Sequence, residues 1–201
     1  MSKHITISET DRGVLRQLAE KTAELAALPV QRETKELWSK LNGLKMERPM
    51  VYLYQVCWGE MNVNDELTLK CSDPFLQSVE QNLRRSLYQW NHMRADMVIE
   101  PFYDMEPVLV GDDYGIGIKE EVLNAHPDSA ARSHHYIAQI KDESDVEKIK
   151  IPTITHDEEA TAARVEAVTD IFGDVLPVRL GINFGRYNIA PWDRLVHWTG
   201  V

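Results

Sequence analysis

Apolar positions along this chain follow two rhythms. From Thr10 or Asp11 to Ala27, residues Leu15, Leu18, Ala19, Leu25 and Ala26 recur at helical spacing, and Pro29 ends the run. A second helix is expected from Arg32 to about Leu41, with Leu37, Trp38 and Leu41 on one face and Asn42-Gly43 closing it. A third carries Leu76, Val79, Leu83, Leu87 and Trp90 on one face, with Asp73 as its expected N-cap and Pro74 at its first position. Between these lie short continuous apolar runs, at residues 50–57, 96–102 and 176–182, each of which reads as a strand buried on both faces.

Residues 111–120 and 134–140 read as two extended segments beside the main sheet. Asp142 is placed to cap a short helix ending near Ile149, and Thr155-His-Asp-Glu158 matches a capping box that opens a helix to Phe172, terminated by Gly173. A last helix begins at Ala190-Pro-Trp192-Asp193. Helices alternating with doubly buried strands imply an α/β fold with a parallel sheet, whose strand carboxyl ends line the site. Three main strands make a poor sheet edge, so the chain reads as the front portion of something longer. The first strand runs into Gln55, Cys57, Trp58 and Glu60, and the second into Tyr103 and Asp104.

Composition narrows the classes. Hydrophobic residues make up 43% and charged residues 27%, an ordinary globular profile, but the net charge is −10. That balance argues against nucleic acid or an anionic membrane surface as partner, since both need clustered Lys and Arg. No apolar run approaches a membrane span, and no secretory signal is visible. Cys57 and Cys71 form neither a disulfide framework nor a metal-spacing motif, which points to a reducing, cytoplasmic setting.

In chain order, several motifs resemble the uroporphyrinogen decarboxylase superfamily. Leu41-Asn-Gly-Leu-Lys-Met-Glu-Arg48-Pro-Met-Val-Tyr52 resembles its entry into the first strand, and Asp96-Met-Val-Ile-Glu-Pro-Phe-Tyr-Asp104 its second strand, which ends in a functional aspartate. Gly115-Ile-Gly-Ile-Lys119 and the stretch from Ile182 to Ala190-Pro-Trp192 are similar to later segments. The match covers residues 32–201, with residues 1–30 as an N-terminal helical extension. The resemblance implies the N-terminal part of a (β/α)8 TIM-type barrel, incomplete in this chain. Activities in the family are tetrapyrrole decarboxylation without a cofactor and corrinoid-linked methyl transfer or demethylation, the latter using zinc.

One departure chooses between the branches. Decarboxylases close the first strand with Arg-Gln-Ala-Gly-Arg, whose arginines meet substrate carboxylates. Here Tyr54-Gln55-Val-Cys57-Trp58-Gly59-Glu60 keeps the glutamine, loses both arginines and gains an acid. A polycarboxylate substrate depends on such charge-assisted pairs. The expectation is therefore a methyltransferase-like or demethylase-like member, with uroporphyrinogen decarboxylase proper as the alternative. A non-catalytic truncated or split chain seeking a partner is the reading from another class. No cofactor is expected on this chain itself. Zinc, a corrinoid protein and the missing C-terminal half belong to the full-length relative, and self-association stays open.

Asp104 and Glu100 are the catalytic candidates. Asp104 sits at a strand end, and its bland reading is a loop-capping aspartate; Glu100 sits in an apolar run and needs a partner. For a small-molecule substrate the binding candidates are Gln55, Cys57, Trp58, Glu60, Tyr103, Asn183 and His197. Cys57 is weighed against a plain core thiol, and Glu60 against a solvated loop acid. The adjacent His134 and His135 face opposite sides of a strand and read as structural.

Overall fold

A computed structural model describes residues 5–111, 114–123, 133–181 and 191–200. In chain order the helices are α1 (Glu9–Ala26), α2 (Pro29–Asn42), α3 (Pro74–Met93), α4 (Glu158–Phe172) and α5 (Pro191–Thr199). The strands are β1 (Tyr103–Met105), β2 (Leu109–Val110), β3 (Glu120–Leu123), β4 (Ser133–Tyr136), β5 (Thr155–His156) and β6 (Val178–Leu180). Short 3-10 turns occupy Trp58–Glu60 and Glu143–Lys148. The chain divides into two compact units, one of residues 1–105 and 159–181, the other of residues 106–158 and 182–201.

The first unit is a helical layer. The apolar stripe of α1 (Leu15, Leu18, Ala19) meets that of α3 (Leu76, Val79, Leu83, Leu87), and Val168, Ile171 and Phe172 of α4 complete the core with Leu176. Ser8 and Asp11 cap α1 reciprocally, and Asp73 accepts from the N–H groups of Phe75 and Leu76 at the start of α3. Pro29 does not merely end α1; it opens α2 at the first turn, where its missing N–H costs nothing. β1 and β6 lie parallel, with Tyr103 opposite Val178 and Met105 opposite Leu180. In the second unit β2 pairs antiparallel with β5, and β3 with β4.

The barrel expectation is overturned. Among the described residues there are three sheets of two strands each and no closure. Two of the three runs read as buried strands form no ladder: a bond from the Asp96 N–H to the Val51 carbonyl joins them, but side chains take other backbone groups of both. In residues 96–100, the Ile99 N–H donates to Gln31 Oε1 at 2.9 Å and the Asp96 carbonyl accepts from Trp38 Nε1 at 2.7 Å. In residues 50–55, the Val51 N–H donates to Asp96 Oδ2 at 2.8 Å and the Leu53 carbonyl accepts from Gln89 Nε2 at 3.0 Å. That second run is not buried either: Val51 is 53% and Tyr54 68% exposed. The true strand after it begins at Tyr103, later than the apolar run suggests. The run at 176–182 does form a strand, over Val178–Leu180.

Among the described residues, no helix is long and apolar enough to cross a membrane.

Candidate functional site

β1 places Asp104 on the exposed face of the parallel pair, directly opposite Arg179 on β6. The Asp104 carboxylate accepts from Arg179 Nε, and from Nη2 at 3.2 Å. The Arg179 guanidinium also lies over the Phe102 ring, 3.5 Å from its centroid, the geometry of a cation–π contact. Asp104's hydrogen bond, ahead of the opposing effect of burial, pushes the Arg179 guanidinium above its ordinary value. Gly181, just past β6, leaves room for the carboxylate: a Cβ there would stand 2.7 Å from Asp104 Oδ1.

Glu100 has the partner its apolar run calls for, Lys35 of α2, with Nζ 2.6 Å from Oε2. Both side chains are part exposed, so the pair contributes little to stability and leaves the carboxylate within reach of solvent. Tyr103 packs edge-on to Phe172, ring centroids 5.8 Å apart, and its hydroxyl accepts from Asn82 Nδ2 at 3.2 Å. Glu100, Lys35, Asp104 and Arg179 thus form a charged strip around the β1–β6 pair, with the Phe102 ring beneath Arg179.

The stretch carrying Gln55, Cys57, Trp58 and Glu60 lies along α3. Gln55, Cys57 and Glu60 are exposed, while Trp58 is half-buried against Tyr88, ring centroids 6.2 Å apart in an edge geometry. Arg85 covers the Trp58 indole, its guanidinium carbon 5.1 Å from the ring centroid. Cys57 is an exposed free thiol; Cys71 is buried, and burial, with Glu80 and Asp11 nearby, pushes its thiol far up.

His197 belongs to the second unit. Its ring tilts against Tyr136 at 4.4 Å, and its Nδ1 is buried without a hydrogen-bond partner among the described residues. The indole N–H of the neighbouring Trp198 is in the same condition, while the Trp198 carbonyl accepts from the N–H groups of Gln139 and Ile140. Gly200 follows at φ +76, where a Cβ would lie 2.8 Å from the Ala138 nitrogen. His134 pairs with Glu120 at 3.0 Å on the exposed β3–β4 hairpin. Asn183 lies outside the described residues.

Sequence reasoning missed two buried carboxylates. Asp11 is fully buried and accepts from the Ser72 N–H and hydroxyl at 2.8 and 2.9 Å, besides capping α1. Glu80, also fully buried, accepts from the N–H groups of Lys70 and Cys71 and from Arg84 Nε at 2.8 Å. Both hold the 70–73 turn between α1 and α3, a structural task. The signals were present: Ser8-x-x-Asp11 is a capping box, and Glu80 with Arg84 is an i,i+4 pair.

Among the described residues no three His, Cys, Asp or Glu side chains come together to hold a metal ion. The zinc that the resemblance implies therefore has no ligand set among them. Comparison with family models, with curated proteins and with solved structures gave no match.

Proposed function

We propose that this chain is a uroporphyrinogen-decarboxylase-like protein of the corrinoid-linked methyl-transfer branch. The reading rests on the order of the sequence motifs and on one structural observation, the charge offered by the two candidate stretches. Residues 55–60 present an amide, a thiol, an indole and a carboxylate, with no cation among them. At β1–β6 the one guanidinium, Arg179, is already neutralised by Asp104. Beside these stretches a tetrapyrrole rich in carboxylates would find one unpaired cation, Arg85 over the Trp58 ring, against the several its carboxylates need. A neutral or cationic methyl donor needs none.

In methyl transfer the methyl carbon bonds to the corrinoid acceptor as the carbon–heteroatom bond breaks and leaves its electron pair on the heteroatom. A cationic donor departs neutral, whereas a neutral donor departs as an anion that must collect a proton. Glu100, with the N–H donor Lys35 Nζ 2.6 Å from its Oε2, is the carboxyl group placed for that delivery, while Asp104, held as a carboxylate by Arg179, would position the donor. Gln55 and Tyr103 would orient the donor, with Trp58 as an apolar wall. The test uses protein expressed from the complete reading frame, free cob(I)alamin and a panel of methoxy, methylamine and methylthio donors. Donor-dependent loss of cob(I)alamin absorbance that falls at least tenfold in Asp104→Asn is the expected result. Robust decarboxylation of uroporphyrinogen by the same preparation would overturn the reading.

A second reading has its own observation. The only parallel pairing among the described residues is three residues long on each side, whereas parallel strands ordinarily sit inside larger, covered sheets. A non-catalytic chain completed by a partner's strands fits that feature. It predicts a stable complex with a second polypeptide on size-exclusion chromatography and no methyl transfer by this chain alone.

A further inference from the structure

The first unit carries two hollows of about 300 Å³ beside α3. In the one between α1 and α3, the inner charges are already satisfied: Arg84 donates to Glu80 and to the Glu66 carbonyl, and Glu66 holds His92 at 3.0 Å. The other is lined by Trp58, Asn62, Gln81, Arg84 and Arg85 together with Gly59 and Leu67, and its polar groups differ in one respect. Asn62 is used up by the loop, its amide donating to Thr68 Oγ1 and its carbonyl oxygen accepting from the Leu67 N–H. Arg85 is not. Among the described residues no carboxylate pairs with it; its one neighbour of note is the Trp58 indole. The side chain of Gln81, inside α3, likewise has no hydrogen-bond partner among the described residues.

A half-buried guanidinium without a counter-charge is costly, because the pairing lost to water is not returned by the protein. Burial pushes Arg85 below the ordinary arginine value, the direction that a bound anion would reverse. Arg85 brings a planar fork of N–H donors to the wall of a concave pocket, Gln81 a free amide, and Leu67 and Trp58 apolar surface.

We propose that this hollow is a binding site for a small monocarboxylate, gripped by Arg85 and oriented by Gln81. One uncompensated positive charge matches a single carboxylate in bidentate geometry; a phosphate dianion would lack a second free cation. The inference does not depend on the methyl-transfer reading, since it stands on Arg85 and its pocket whatever chemistry the protein performs.

The probe is benzoate, with benzamide as its uncharged isostere and inorganic phosphate as the competing anion. Binding is read on the full chain by the Arg Nε–Hε and Trp indole NMR signals, with Arg85→Gln and Trp58→Phe assigning the resonances of Arg85 and Trp58. The expected result is saturable movement of both signals with benzoate, at least about tenfold weaker with benzamide and in Arg85→Gln, as loss of a charge-assisted hydrogen bond demands. Arg85→Lys, which keeps the charge and loses the fork, should fall between, and gives the comparison if the glutamine variant does not fold. Absence of saturable movement with benzoate, or equal affinity in the Arg85 variants, overturns the site. Tighter binding of phosphate than of benzoate overturns the assignment of the ligand as a carboxylate.

Discussion

Replacing Glu80 by alanine should be among the most damaging single changes in the first unit. The carboxylate is fully buried, and it accepts from the Lys70 N–H at 2.9 Å, the Cys71 N–H at 2.8 Å and Arg84 Nε at 2.8 Å. Removing it strands two backbone donors and a guanidinium that is itself only 12% exposed. Hydrogen bonds to a charged acceptor contribute roughly 1.5–3 kcal/mol each, but the desolvation of Glu80 offsets part of that sum. Breaking a buried pair from one side costs about 3–5 kcal/mol. At about 2–4 °C per kcal/mol for a chain of this size, a loss near 4 kcal/mol lowers Tm by roughly 8–16 °C.

The assay is urea unfolding followed by far-ultraviolet circular dichroism, run on wild type, Glu80→Ala, Arg84→Met and the double variant. The double variant removes the stranded cation, so it should be less damaged than the sum of the singles, by about 1–2 kcal/mol. The pH dependence has a definite sign. Burial pushes the Glu80 carboxyl up, yet the N–H groups of Cys71 and Lys70 and the Arg84 guanidinium outweigh it and hold it below its ordinary 4.5. Its contribution is therefore complete above about pH 4.5 and is lost as pH falls through the depressed native value. A Glu80→Ala cost below 1 kcal/mol at pH 7, or strict additivity with Arg84→Met, would refute the account.

Other expectations concern separate parts of the molecule. Arg48's hydrogen bonds, with the Val51 N–H, bring Asp96 from 3.8 down to about 2, so the stability it confers persists down to about pH 3.8 and drains away towards 2. Asp96→Asn should erase that acid step in a pH-titrated thermal melt. Cys57 should react with a disulfide reagent in native buffer at the rate of an exposed thiol, while Cys71 reacts only after unfolding; two fast thiols would contradict the buried turn around Glu80. Gly181→Ala should displace the Asp104 carboxylate from Arg179 while leaving Tm almost unchanged, since the exposed pair contributes little. A matched pair of Tm values with a changed Arg179 side-chain NMR signal would show it.

What could be read from the residues was local. The stripes of α1 and α3, the Asp73 cap and the stop at Gly173 each depend on neighbours within a few positions, and all stand where the spacing put them. The runs at 50–55 and 96–100 depend on partners more distant in sequence, and apolar content alone does not say whether a ladder strand or a side chain takes the backbone groups. Gln31 and Trp38, placed on α2 for helical reasons, decide it for residues 96–100. Asp104 was expected at a strand end but is the middle residue of Tyr103–Met105, and its partnership with Arg179 spans 75 positions and was invisible. Glu80 and Asp11 were overlooked because a charged residue inside a helix pattern reads as solvated until its partners are placed.

The first unit is interrupted: its chain departs after Met105 and returns at Glu159 to deliver α4 and β6. During synthesis this imposes an order. Leu15, Leu76 and Val79 emerge long before Val168, Ile171 and Phe172, the residues that close over them. For that interval the nascent helices carry sticky, uncovered stripes outside the ribosome, a window in which chaperone capture or aggregation competes with completion. Slowing translation between codons 106 and 158 should lengthen that window and lower the soluble yield without altering a single residue.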